Sequence, residues 1–187
     1  MSDIFDEENM SRALEKYVPE GETLIAGIHA VAKEIERDLL FENCILEEDR
    51  LIPAGESGQD ILVIKKKYAS CDIYLGITQT ALVFTECEKE RWYYEFVDAE
   101  RAIEAHKDGA ELASEILLSD IGKCVSLSSI RGFEIKNGMF GSKKCNITLI
   151  GGHLKLLFPK LGGVGGGMPH YSEYKEKIIA RLSEIAK

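Results

Sequence analysis

Two lysine clusters carry the clearest chemistry in this chain: Lys65-Lys66-Lys67, followed by Tyr68, and Lys143-Lys144. The lysine ammonium is a compact point charge, so clustered lysines suit carboxylate or phosphate groups held by electrostatics. Arg131 adds a guanidinium in the same basic final third, and Tyr93, within Trp92-Tyr93-Tyr94, adds an amphipathic ring suited to contact. Lys65, Lys66, Lys67, Tyr93, Arg131, Lys143 and Lys144 are therefore the candidate binding residues. The competing reading of both lysine clusters is a solvated sheet edge, where charge blocks pairing with other chains.

Reaction chemistry finds less to work with. The four histidines, His29, His106, His153 and His170, contain no His-x-x-x-His pair. The five cysteines, at 44, 71, 87, 124 and 145, contain no Cys-x-x-Cys pair, so no metal-ligand spacing is present. Reduced cysteines acting as small core residues fit this pattern. Gly162-Gly163-Val164-Gly165-Gly166-Gly167 precedes a helical segment, and amides at a helix start favour anions. No Gly-Lys-Ser/Thr follows, and Met168 stands where a dinucleotide fingerprint needs its third glycine. The tract reads as a flexible connection that lets the last helix dock. No catalytic residue, metal site or cofactor is assigned.

Charge narrows the partners. The chain of 187 residues has a net charge of −9, distributed as −11 over residues 1–60, −5 over 61–120 and +7 over 121–187. An acidic whole opposes general affinity for nucleic acid or an anionic membrane. The basic final third leaves room for a local anionic partner, or it faces the acidic first third of the same chain or of a second copy. The start, Met1-Ser2-Asp3-Ile4-Phe5-Asp6-Glu7-Glu8, has no signal-peptide pattern, and no apolar stretch is long enough to span a bilayer. A cytoplasmic protein is the expectation.

The elements that must position these residues read as mainly β. Met10, Ala13, Leu14 and Tyr17 share one helical face, and Pro19-Glu20-Gly21 ends that helix. Glu22 to Lys33 alternates loosely and reads as a strand, with a helix as the alternative. Residues 36–58 look like an irregular, charged insertion closed by a turn at Pro53 to Gly58. Strands follow at Ile61 to Ile64, at Ile73 to Thr78, at Leu82 to Phe84 after a turn at Gln79-Thr80, and at Trp92 to Phe96. Asp98 could cap a helix carrying Ala99, Ala102, Ile103 and His106, with Gly109 as its stop. Strands resume over Ile116 to Leu127 and Ile130 to Lys136. Asn137-Gly138 marks a turn, and Gly151-Gly152 joins a hairpin between Cys145 and Phe158. Ile178, Ile179, Leu182 and Ile185 give the last segment, 169–186, one apolar helical face. Leu82, Phe84, Ile121, Ile147, Leu149, Leu156, Ile178 and Leu182 are the expected core.

Three features together resemble the bacterial pleckstrin-homology-like (PH-like) families and the similar GRAM domains. These are Ile77-Thr78 followed by Leu82-Val83-Phe84, then Leu118-Ser119-Asp120-Ile121 with Val125 beyond it, then the Ile147-to-Phe158 hairpin before a terminal helix. Pro19-Glu20-Gly21-Glu22 is similar to the usual lead into the first strand, so the likeness covers residues 18–186. The chain departs from the pattern at 36–58 and 88–115, which are taken as insertions. The resemblance implies a single α+β, mainly β domain over 1–187. Its form would be a curled antiparallel sheet or barrel of about seven strands, capped by the C-terminal helix and without an enzymatic site. In eukaryotic PH domains basic residues of the first hairpin grip inositol phosphates; the basic residues here lie elsewhere, and that role is not carried over.

The leading expectation is a non-enzymatic binding or scaffolding domain that works through protein or peptide contacts and self-association. Two alternatives stand beside it. One is a reader of anionic head groups or phosphorylated ligands through the basic final third. The other is a small metal-dependent hydrolase.

Overall fold

The computed structural model describes residues 5–42, 44–47, 50–53, 61–87, 93–102, 111–112, 116–117, 120, 122–160 and 168–186. Helix α1, Glu7–Glu15, starts where the Asp6 carboxylate accepts the Asn9 amide at 2.8 Å, and it buries Met10 and Leu14. Twelve strands follow: β1 Ala26–Glu42, β2 Cys44–Glu47, β3 Arg50–Pro53, β4 Ile61–Ile77, β5 Ala81–Glu86, β6 Tyr93–Ala102, β7 Glu111–Leu112, β8 Ile116–Leu117, β9 Cys124–Ser126, β10 Ile130–Asn137, β11 Lys143–Leu149 and β12 Gly152–Phe158. Helix α2, Tyr171–Ile185, closes the chain.

The strands β10-β11-β12-β1-β4-β5-β9 pair in that order as a curled antiparallel half-barrel of seven strands. With the two helices this is the expected α+β, PH-like form. Tyr171, Ile178 and Leu182 of α2 are buried with Leu82, Phe84, Ile147, Leu149 and Leu156 in one core, as expected. Ile121 lies outside the described residues. The Gly151-Gly152 hairpin needs its glycines. Both have positive φ, and a Cβ on Gly152 would sit 2.0 Å from the Glu36 carbonyl oxygen.

Helix α1 packs on the sheet face opposite Ile28 and Leu75. Gly27 and Gly76 are cross-strand partners there, and a Cβ on Gly76 would meet Leu24 at 2.5 Å and Leu14 at 3.0 Å. These two glycines let a helix approach the backbone closely.

Four readings are corrected. First, residues 36–42 are not irregular. Strand β1 runs on to Glu42, with Leu39 and Phe41 buried on one face of a stretch that also carries Glu36, Arg37, Asp38 and Glu42, and β2 and β3 follow. The density of charge hid a period of two. Second, Ile61–Ile64 and Ile73–Thr78 are not separate strands, because β4 passes through Lys65-Lys66-Lys67 without a break. Third, Asp98 starts no helix; 98–102 belong to β6, whose backbone pairs with β4 from Lys65↔Asp98 to Ile61↔Ala102. Sheet pairing there overrides a local helical pattern. Fourth, the described residues of 116–127 are not one strand: they hold β8 and β9, a turn at Gly122 (φ 80°) before β9, and Leu127 at the start of a 3-10 turn. The turn at 54–58, His106, Gly109 and the glycine tract at 162–167 lie outside the described residues.

A smaller core lies along the far halves of β1 and β4. Leu39, Phe41, Cys44, Leu51, Leu62 and Ile64 cluster there, and β2, β3 and β8 form a separate three-stranded sheet. Burial along β1 changes phase near Lys33, from Ile28, Ala30 and Ala32 to Ile35, Arg37, Leu39 and Phe41. Between Ala32 and Glu34, β1 carries one residue more than β12, a bulge that reverses which side chains face inward.

Candidate functional site

Among the described residues, three regions hold groups able to do chemistry. The first is a charged layer between the two cores. Arg37 and Lys66 are cross-strand partners, and with Lys123 they are buried, Lys66 to 1% exposure. The Lys123 ammonium lies 2.6 Å from the Glu86 carboxylate and donates to the Tyr17 hydroxyl at 3.3 Å. That hydroxyl donates to Asp120 at 2.9 Å, and Lys16 lies 2.7 Å from the same carboxylate. Arg37 donates to the Gly122 carbonyl at 3.1 Å. Burial, with the charge of Lys123 nearby, pulls Lys66 down to about 7. Burial works to raise Glu86, but the hydrogen bond from Lys123 leaves it below the ordinary carboxylate range. Asp120 behaves alike: burial works against it, and hydrogen bonds from Lys16 and Tyr17 bring it down. The pairs tie the end of α1, β1, β5 and the turn before β9 together, which is a positioning role.

The second region pairs a buried imidazole with a half-buried carboxylate. His29 Nε2 lies 2.6 Å from Asp72 Oδ1, and the Phe5 ring stands edge-on to the imidazole at 4.9 Å. A general base needs its other nitrogen on a nucleophile. His29 Nδ1 is buried with no hydrogen-bond partner among the described residues. The Tyr171 hydroxyl donates to the His29 carbonyl at 3.1 Å, which ties α2 to β1 at this point.

The third region is the connection between β10 and β11. A single 3-10 turn, Met139–Gly141, is closed by Gly138 N–H donating to the Ser142 carbonyl at 2.8 Å and by the Ser142 amide and hydroxyl donating to the Met139 carbonyl at 3.1 and 2.7 Å. Phe140 sits in the left-handed region at φ 54°, ψ 30°. That conformation costs a bulky L-residue about 1–2 kcal/mol. Met139 is 74% and Phe140 89% exposed, the highest values among the exposed large apolar side chains described. Beside this tip lies an open groove of about 540 Å³ walled by Met139, Phe140, Leu157 and Pro159 and by Lys33, Lys144 and Lys160, with Ser142 also lining it. The lysines come from three parts of the chain: the β1 bulge, β11, and the segment after β12. None of the three forms an ion pair among the described residues. Lys175 donates to the Pro159 and Lys160 carbonyls at 3.4 and 3.2 Å, and Tyr171 donates to the Pro159 carbonyl at 3.2 Å, so α2 fixes the groove's far wall.

The residues singled out from the sequence are dispersed. Lys65, Lys66 and Lys67 lie on an interior strand, between β1 and β6, so the solvated-edge reading does not hold for them. Lys66 faces inward, while the Lys67 ammonium lies 3.9 Å from both Glu34 and Glu36. Lys65 is half-buried. Arg131 donates to the Ser128 carbonyl at 2.8 Å and closes the turn before β10. Tyr93 pairs through its backbone with Ala69, and its side chain lies outside the described residues. Lys143 donates to Asn137 Oδ1 at 2.8 Å, and Lys144 lines the groove. His153 is not free in solvent: its Nε2 lies 2.6 Å from Glu34 Oε1.

Lys33 and Lys160 were not singled out, because only the pairing of β1 with β12 brings them to Lys144. Met139 and Phe140 were missed too, although their signal is local. Two large apolar residues between Asn137-Gly138 and Gly141-Ser142-Lys143-Lys144 break the rule that turns are polar.

Fold and site together define a half-barrel of PH-like form whose β10–β11 end carries exposed apolar side chains beside three lysines. Comparison with protein-family models, with curated proteins and with solved structures returned no match. Among the described residues no three His, Cys, Asp or Glu side chains gather as metal ligands, and no helix is long and apolar enough to cross a membrane.

Proposed function

We propose that the protein is a non-enzymatic binding module that acts by contact, and that its contact surface is the β10–β11 tip with the adjoining lysine-lined groove. The observation that carries this reading is the exposure of Met139 and Phe140 beside Lys33, Lys144 and Lys160, cations without acidic partners among the described residues. Exposed apolar patches with charged rims mark interaction sites. Lysine point charges select an anionic partner, and the apolar walls select one with an apolar part.

Head-to-tail association through opposite charge draws less support. Several acidic groups of the first third are engaged within the same chain. Glu34 lies 2.6 Å from His153 and 2.5 Å from Lys155, and Glu7 lies 3.0 Å from His170. These contacts use charge that would otherwise drive a second copy onto the basic end.

The test compares the wild type with a Lys33→Glu/Lys144→Glu/Lys160→Glu variant on two probes, soluble polyglutamate and anionic vesicles. The reading expects at least one probe to bind the wild type and to lose the variant. Binding of neither probe, or equal binding of both proteins, contradicts it.

A further inference from the structure

The partner's chemistry can be narrowed by asking what each kind of anionic partner needs. An extended peptide laid in the groove would bring one amide N–H and one carbonyl per residue, and each needs a hydrogen-bond partner once out of water. The walls are carbon: Met139, Phe140, Leu157, Pro159 and the lysine stems. Their one hydroxyl, that of Ser142, already donates to the Met139 carbonyl. The Pro159 and Lys160 carbonyls already accept from Lys175. The rim ammonium groups can meet peptide carbonyls, but the apolar walls offer few acceptors for the peptide's amides. Hydrocarbon chains ask for no hydrogen bonds.

Shape and charge point the same way. Phe140 and Met139 project from the tip rather than lining a closed pocket, and a flat interface can receive both at once. Lys33, Lys144 and Lys160 rim the same spot from three elements, an arrangement that meets a plane of negative charge better than a single carboxylate. Phe140 also holds a left-handed backbone position that asparagine or glycine would occupy more comfortably. Folding alone gives no reason for phenylalanine there. The net charge of −9 argues against general affinity for an anionic membrane, and it favours one orientation: acidic surface elsewhere is repelled, while this end carries the three lysines.

We infer that the β10–β11 tip is a membrane-contact device, which seats Met139 and Phe140 in the headgroup–acyl boundary of an anionic lipid surface while Lys33, Lys144 and Lys160 meet the headgroups. The inference rests on the reading of this end as the contact surface and names its partner. Two contributions add: apolar side chains withdrawn from water, and lysines in the surface potential. Neither the sheet nor the charged layer between the cores has to move.

The test is co-sedimentation of the full chain with vesicles of equal parts phosphatidylcholine and phosphatidylglycerol, and with pure phosphatidylcholine vesicles. Binding to the mixed vesicles alone is expected, weakening as salt rises from about 0.1 M to about 1 M. Phe140→Asn should weaken binding by roughly tenfold or more. The same variant should melt in urea at or above the wild-type midpoint, because asparagine tolerates the left-handed backbone. The Lys33→Glu/Lys144→Glu/Lys160→Glu variant should lose at least about a hundredfold. Binding to mixed vesicles that neither variant weakens overturns the inference. Absence of vesicle binding with retained, lysine-dependent binding of soluble polyglutamate overturns it and leaves the broader contact reading standing. Absence of both overturns the two together.

Discussion

The halves of β1 and β4 nearest α2 and the halves beyond Arg37 and Lys66 are the same two strands in two different environments. In the first, Ile28, Ala30, Ala32, Cys71, Ile73 and Leu75 join a large core under α2. In the second, Leu39, Phe41, Leu62 and Ile64 share a small cluster with Cys44 and Leu51. Between them sit Arg37, Lys66 and Lys123, which are buried and charged. The difference shows that a long strand can change its inward face at one bulge and can carry cations into the interior without making a site of them. The cations proposed to meet a partner lie instead at the β10–β11 tip.

The largest expected effect breaks the big core and spares the small one. Leu182 is fully buried under the half-barrel, and Leu182→Ala should destabilise by about 2–5 kcal/mol, read as a lower urea midpoint. Leu51→Ala, in the six-residue cluster, should fall at the low end of that range, because a smaller surround collapses more easily. Equal losses at the two positions would deny that the regions differ.

The charged layer supplies the next effect, and it has the opposite sign. Lys66 is held at about 7 in the folded chain, against 10.5 for an ordinary lysine. Between those values the unfolded chain binds more protons, so this residue makes stability rise with pH. Below about 7 the folded chain holds the buried charge in full. Lys66→Met should therefore stabilise by about 1–4 kcal/mol near pH 6, with the gain shrinking toward pH 10. Urea melts at the two pH values check this, and a gain that does not change with pH would contradict it.

The glycine floor under α1 comes third. Gly76→Val places methyl groups where Leu14 and Leu24 already lie, and a cost of about 1–3 kcal/mol is expected. Amide exchange should rise first in α1, not in β10–β12. The smallest effect concerns the surface pairing of the first and last thirds. Lys155 foremost, with His153, pulls Glu34 down to about 2, so its contribution is complete above about pH 4.5 and is lost as pH falls toward 2. The group is partly open to solvent, and Glu34→Gln should cost below about 1 kcal/mol at neutral pH and nothing near pH 2.

The sequence made the large core legible because its apolar residues alternate cleanly, as at Cys145, Ile147 and Leu149, and because Gly151-Gly152 permits one kind of turn. The second region was obscured where charge and burial coincide. Arg37 and Lys66 occupy inward positions, so a pattern of apolar against polar skips them and splits one strand in two. Residues 98–102 were misread for another reason: their pairing with β4 is long-range, and nothing local announces it. The contact site was half legible. Lys143 and Lys144 stood out as a run, whereas Lys33 and Lys160 reach Lys144 only through the fold.

The central claim is that contact is made at the β10–β11 tip and that the buried cations are structural. Amide exchange of the full chain, with and without vesicles of equal parts phosphatidylcholine and phosphatidylglycerol, tests it most directly. The account predicts slowed exchange at residues 138–144, with Arg37, Lys66 and Lys123 unchanged. Protection around those three residues with the tip unaffected would contradict it.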